Sequence, residues 1–262
     1  MTNAATNINI RPPFGVGTIV GDSFRLFFSR FSVFFLLAFV PTLAIDLLLW
    51  LIIGREAILL ADNPVMLERF LSAPELVLFY VLPFVGYSFA TALMVLAAYD
   101  ARIGHHARIG AYFAVAVSRT VPVLLVSIVV YILVALGLIL LIIPGLYVAA
   151  MLSVAVTIVV VERLSFGAIG RSADLTRDYR WPVLGTIIVL FLCVLVFGFV
   201  LGFAVGLIQS LVGVSLLTSL ILFAAASAVP NGILAIGYVL IYARLREIKE
   251  GTTVQSLVEV FS

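Results

Sequence analysis

Five long apolar runs, separated by short mixed or charged stretches, set the pattern of this chain. Residues 31–53 (FSVFFLLAFVPTLAIDLLLWLII) form the first and 76–98 the second. Residues 121–162 form the third, 42 positions with almost no polar side chain before Glu162. Residues 183–208 and 215–242 complete the set. A helix needs about 20 apolar residues to cross the hydrocarbon core of a bilayer. The 121–162 run therefore holds two crossings, with Pro144-Gly145 marking the turn between them. The other reading, one crossing plus a re-entrant segment, leaves unpaired backbone groups in lipid at several kcal/mol each. The pattern predicts an all-α polytopic bundle of six transmembrane helices.

The segments between crossings carry a second pattern. In 15–31, Thr18, Asp22, Arg25 and Ser29 recur at helical spacing, and so do Val16, Val20, Phe24, Phe27 and Phe31. One face is polar and the other apolar, as in a helix lying in the membrane interface. Segments 108–124 and 166–184 are built alike: Gly and small residues first, Arg near the end, then a crossing. Each even crossing has a proline near its outer half (Pro83, Pro144, Pro230) and ends in an aromatic or charged cluster. The chain thus reads as three units, each an interfacial helix followed by a transmembrane hairpin. The alternative is the hairpin periodicity that any six-span chain shows. The expected organisation is a polar tail over 1–13, a single membrane domain over 14–250, and a C-terminal tail over 251–262.

Composition agrees. A soluble domain is about half apolar and about a quarter charged. This chain is 64% hydrophobic and 11% charged, with a mean hydropathy of +1.30. The lone Cys193 provides neither a disulfide framework nor a Cys-based metal site. The N-terminal stretch is polar and Asn-rich, unlike a cleavable signal peptide, and is expected to be retained. Thirteen of the fifteen Lys and Arg residues fall on one side of the predicted topology. The other side has only Arg55 and Arg69, outnumbered by Glu56, Asp62, Glu68 and Glu75. The positive-inside rule places both termini in the cytoplasm, in a bacterial inner membrane. Tyr99, Tyr112, Tyr179, Trp181 and Tyr242 then fall at the cytoplasmic boundary, with Trp50 and Tyr80 near the opposite one.

Charge is densest in ERLSFGAIGRSADLTRDYRW, residues 162–181, where seven of twenty positions are ionised. Ser165 is placed to cap a helix beginning near Phe166. Arg171, Asp174, Arg177 and Asp178 sit three or four apart, so opposite charges pair along one side. Exposed pairs contribute only about 0.3–0.5 kcal/mol each. Position at the headgroup layer is the larger effect, since each Lys or Arg near an anionic surface adds roughly 1 kcal/mol of lipid attraction. Arg171, Asp174, Arg177 and Trp181, with Arg25 on the first interfacial segment, are the candidate contact surface for anionic lipid headgroups or a protein partner.

The run from Glu162 through Gly167, Arg171-Ser172 and Leu175-Thr176-Arg177 to Trp181 resembles the signature of the YciC-like group of bacterial membrane proteins. That group is close to the membrane domain attached to some glycerophosphoryl diester phosphodiesterases. Ile143-Pro144-Gly145 matches the group's I-P-G before the fourth span. Tyr242 to Arg246, with Glu250-Gly251, is similar to its C-terminal pattern but lacks the Asp. The resemblance implies a six-span inner-membrane protein without the soluble phosphodiesterase domain.

The catalytic inventory is thin. His105 and His106 are adjacent, a poor metal pair that reads as solvated loop. Asp100 and Glu162 end even crossings, where carboxylates more often cap or pair with Arg than act as acids. No H-E-x-x-H, G-x-S-x-G or Walker-type loop occurs. The expectation is a protein that is not an enzyme, with no cofactor, no metal site and no nucleic-acid partner. Gly198, Gly202 and Gly206 form a small-residue stripe for helix packing, within the chain or in a homo-oligomer. Asp46 lies about two-thirds of the way across the first crossing, and an ionisable group at depth costs at least ~2.5 kcal/mol. Two functions follow: a non-catalytic structural, lipid-organising or accessory module, or a small-solute or ion-coupled transporter using Asp46.

Overall fold

The computed structural model describes residues 13–59, 75–105, 107–213 and 215–251. Within these residues every regular element is a helix. In chain order they are α1 (Val16–Ser29), α2 (Phe31–Leu59), α3 (Glu75–Arg102), α4 (Ile109–Leu140), α5 (Ile142–Leu152), α6 (Ala155–Val161), α7 (Gly167–Leu175), α8 (Arg180–Val212) and α9 (Leu216–Glu250). Six crossings are long and apolar enough to span a membrane: α2, α3, α4, α5 with α6, α8, and α9. The sixfold count read from the sequence stands.

Consecutive crossings pack as hairpins: α2 on α3, α4 on α5, α8 on α9. Helix α9 is the hub. It touches α1, α2, α3, α6, α7 and α8, and its Ile233, Ile236, Ile241, Tyr242 and Leu245 are completely buried. Close approach to it is bought with glycine. A Cβ at Gly232 would collide with the Phe27 ring, and one at Gly237 would lie 2.6 Å from Leu190 Cδ1. The charged ends of the helices meet at one end of the bundle: Arg102 reaches Glu247, and Arg119 Nη1 donates to the Arg163 carbonyl. Packing is tight in that half. Far from it, Ile139 to Ile143, Phe199 and Leu211 lie open, as lipid-facing side chains do.

Three local features differ from the expectation. The segment 108–124 is not a separate interfacial helix, because α4 runs unbroken from Ile109 to Leu140. Pro122 is tolerated within it, and nearby hydroxyls of Ser118 and Thr120 bond back to the Val115 and Ala116 carbonyls. The chain reverses at Leu141, which is extended (φ −163°, ψ 148°), three residues before Pro144. Pro144 sits instead in the first turn of α5, where its missing N–H costs nothing.

The third difference lies in the fourth crossing, which breaks at 153–154, between α5 and α6. The Met151 carbonyl beside the break accepts from Ser172 Oγ at 2.8 Å and Thr176 Oγ1 at 3.1 Å. Both donors come from the segment densest in charge. Ser165 does not cap α7 with its side chain; the N-cap is Phe166, and only the Ser165 carbonyl takes part, accepting from Ala168 N at 3.0 Å.

Candidate functional site

Among the described residues, many of the ionised groups at the charged end gather in three clusters, each centred on carboxylates. In the first, Glu162 follows α6 and faces α7 and α9. Its Oε1 accepts the Tyr242 hydroxyl at 2.8 Å, and its Oε2 accepts Arg171 Nε at 3.2 Å. Arg171 also donates to Glu250, whose other oxygen accepts Arg246 Nε at 2.8 Å. Arg246 Nη1 closes the ring by donating to the Tyr242 hydroxyl at 3.2 Å. Burial works against the Arg171 charge, but hydrogen bonds from Arg171 to Glu250 and Glu162 outweigh it and hold the guanidinium above its usual value. Beside this ring Lys249 reaches Asp178 at 3.1 Å.

The second cluster joins α3 to α4. Asp100 Oδ2 accepts the Tyr112 hydroxyl at 2.8 Å and Arg108 Nη2 at 3.2 Å. His105 Nδ1 lies 3.9 Å from the other carboxylate oxygen, and the His105 carbonyl accepts Arg30 Nη1 at 2.8 Å. The third cluster joins α3 to α9 and to the chain before α1. Glu247 accepts from Arg102 and Arg244, both at 3.1 Å, and Arg244 also reaches the Pro13 carbonyl at 2.6 Å. These arrangements lock helix ends together. Both carboxylates singled out in the sequence, Asp100 and Glu162, pair with arginine and with a buried tyrosine.

The candidate contact residues separate. Arg171 is built into the first cluster, two-thirds withdrawn from solvent. Asp174, Arg177 and Trp181 are exposed, as is Arg25 on α1. Neither Arg171–Asp174 nor Asp174–Arg177 forms the ion pair that their spacing predicted; the partners of Arg171 lie on α9 and before α7. Tyr112, Tyr179 and Tyr242, read as boundary aromatics, are buried, whereas Trp181 faces outward. Arg180 stacks over the Tyr147 ring, its centre 4.7 Å away. His106 lies outside the described residues, as do the side chain of Arg55 and Tyr80.

Asp46 is half-buried on α2, and none of the three described cavities includes it among its walls. In the glycine stripe of α8 only Gly198 approaches another helix, its virtual Cβ 3.9 Å from Pro230 Cγ. Gly202 and Gly206 meet nothing within 4 Å. Among the described residues, intrachain packing therefore uses the first of the three alone.

What periodicity could not announce is a groove of about 390 Å³ on the membrane face between α2 and α3. Its walls are almost wholly apolar: Val33, Leu37 and Val40 of α2, Leu93 of α3, and Ile109 and Phe113 of α4. Ser32 and Ile109 also place it beside Arg30 and Arg108 in the chain. Among the described residues no group of three His, Cys, Asp or Glu side chains is arranged to hold a metal ion. Comparison with protein-family models, with curated proteins and with solved structures finds no match to this chain.

Proposed function

We propose that the chain is a non-catalytic integral inner-membrane protein, a structural, lipid-organising or accessory module with both termini in the cytoplasm. The observation that carries this reading is the groove along α2, whose apolar lining suits an acyl chain and whose Ser32 and Ile109 lie close in the chain to Arg30 and Arg108. Chain and phosphate of one anionic phospholipid would be held together there. The exposed Arg25, Arg177 and Trp181 extend the same headgroup-level surface. The resemblance of 162–181 to the YciC-like group supports the reading. So does a threefold motif, in which a carboxylate at the end of a returning helix is held by arginine: Asp100 by Arg108, Glu162 by Arg171, Glu247 by Arg102 and Arg244. This motif is the support for three repeated units.

The test is intact-mass analysis of the full chain extracted in a mild detergent. The expected result is a protein carrying phospholipid, enriched in phosphatidylglycerol over phosphatidylethanolamine. Arg30→Gln with Arg108→Gln should weaken that retention by roughly 2 kcal/mol, at about 1 kcal/mol per arginine. A lipid-free, partner-free monomer removes the proposal.

The alternative, a small-solute or ion-coupled transporter, rests on Asp46 as an ionisable group at depth. In proteoliposomes, Asp46→Asn and Asp46→Leu should leave solute flux at its background level. A collapse of flux with insertion intact would instead establish transport and displace the lipid-organising reading.

A further inference from the structure

A second cavity lies inside the bundle, among α3, α4, α5, α6 and α9, with a volume of about 230 Å³. Unlike the groove, half of its fourteen wall residues carry hydroxyls, set among valines, alanines and a leucine. Tyr87 and Thr91 come from α3, Ser127 and Tyr131 from α4, Thr157 from α6 and Tyr238 from α9. Among the described residues, no Asp, Glu, Lys, Arg or His contributes to its wall. A hydroxyl in an apolar helix ordinarily bonds back to a carbonyl one turn earlier, as those of Ser88, Thr120 and Thr186 do here. Ser127 and Thr157 are 9% and 1% exposed, and neither hydroxyl is so engaged among the described residues. Both residues line the cavity, so their hydroxyls are available to a hydrogen-bonding molecule within it.

A second, independent feature marks the same place. The break between α5 and α6 is at the cavity wall, where Ser153 and Leu152 line it. Discontinuous helices at membrane depth are tolerated where they are buried in protein or line a cavity, and they form substrate sites in transporters. The cavity also has a direction. Val95 and Thr157 close one end, at 2% and 1% exposure, while Tyr87 and Tyr131 stand at the other, at 50% and 54%. One helical turn beyond Tyr238 along α9, Tyr242 holds Glu162, so the closed end abuts the charge network.

We propose that this cavity binds a small, uncharged, hydrogen-bonding molecule of the polyol class, admitted past Tyr87 and Tyr131. An ionised solute would find no countercharge there, and an acyl chain would leave the hydroxyls unpaired. At about 30 Å³ per water, the space equals that of roughly seven or eight waters. A three- or four-carbon polyol fits within it. The site is separate from the groove along α2 and stands independently of the lipid-organising reading.

Cysteine accessibility in the full chain, with Cys193 replaced by Ala, tests it. Thr157→Cys and Ser127→Cys are treated with methyl methanethiosulfonate, which is small and neutral, and with its negatively charged sulfonatoethyl counterpart. The neutral reagent should label both positions at least tenfold faster than the charged one. Glycerol or erythritol should slow that labelling at least fivefold, while a cysteine at the exposed Ser118 is unaffected by either. Should Thr157→Cys fail to insert, Ser127→Cys carries the same test alone. Equal rates with both reagents, no labelling at all, no protection by either polyol, or protection by 1-decanol alone would each overturn the proposal.

Discussion

Gly145→Val should destabilise the protein by about 3 kcal/mol, at the upper end of what overpacking costs. A Cβ at Gly145 would lie 2.6 Å from the Leu138 backbone nitrogen and 2.5 Å from Leu138 Cγ. From the opposite arm, a Cβ at Gly137 would come within 2.8 Å of Gly145 Cα. The colliding atoms include backbone on both sides of the reversal at Leu141, so no rotamer change relieves the contact. The α4–α5 hairpin must open, and the contacts of α5 with α8 go with it. Unfolding in mixed micelles, followed by tryptophan fluorescence, measures the loss. Gly202→Val is the comparison, because open space surrounds that position, and its effect should stay within about 0.5 kcal/mol. If the two substitutions cost the same, the hairpin contact is not what makes Gly145 necessary.

Glu162→Ala should cost about 2–3 kcal/mol. It removes the acceptor of two donors at once, the Tyr242 hydroxyl and Arg171 Nε. A buried donor left without its partner loses about 1–3 kcal/mol. The Tyr242 side chain is completely buried and supplies most of that loss. Arg171 is one-third exposed and keeps Glu250, so its share is smaller. Glu162→Gln preserves an acceptor oxygen for Tyr242 and should cost about half as much. Combining Glu162→Ala with Tyr242→Phe should recover part of the loss, since the second change removes the stranded hydroxyl. A Glu162→Ala protein no less stable than one carrying the exposed Asp174→Ala would dismiss the network as a stabilising element.

These two positions show what was legible in the sequence. The six crossings were, because a run of 20 apolar residues is a local property of the chain. So was the fourth hairpin arm, through Pro144-Gly145, although the reversal falls at Leu141 because proline suits the first turn of a helix as well as a loop. The break at 153–154 was not. Its flanks are apolar and helix-compatible, and the hydroxyls that satisfy the Met151 carbonyl lie 21 and 25 residues onward. Spacing paired Arg171 with Asp174 along one helix. The fold pairs it with Glu250, 79 residues away, a partner no periodicity reveals. The glycines misled in the same manner. A visible stripe at 198, 202 and 206 makes one contact, whereas the isolated Gly86, Gly232 and Gly237 admit Ile45, Phe27 and Leu190. The hydroxyl cavity draws one or two residues from each of several crossings, each unremarkable in its own run.

The hub position of α9 has a consequence for how the molecule is made. A chain synthesised from its N-terminus delivers α1 to α8 to the membrane before the helix on which six of them pack. Until Leu216 to Glu250 follows, Phe27 lacks its seat against Gly232, Glu162 lacks the Tyr242 hydroxyl, and Arg102 lacks Glu247. The first five crossings then have the α2–α3, α3–α4 and α4–α5 contacts but not their central helix. Sealing of the bundle waits for the last helix. A nascent chain arrested before α9 presents to membrane quality control not a smaller version of the protein but an open one.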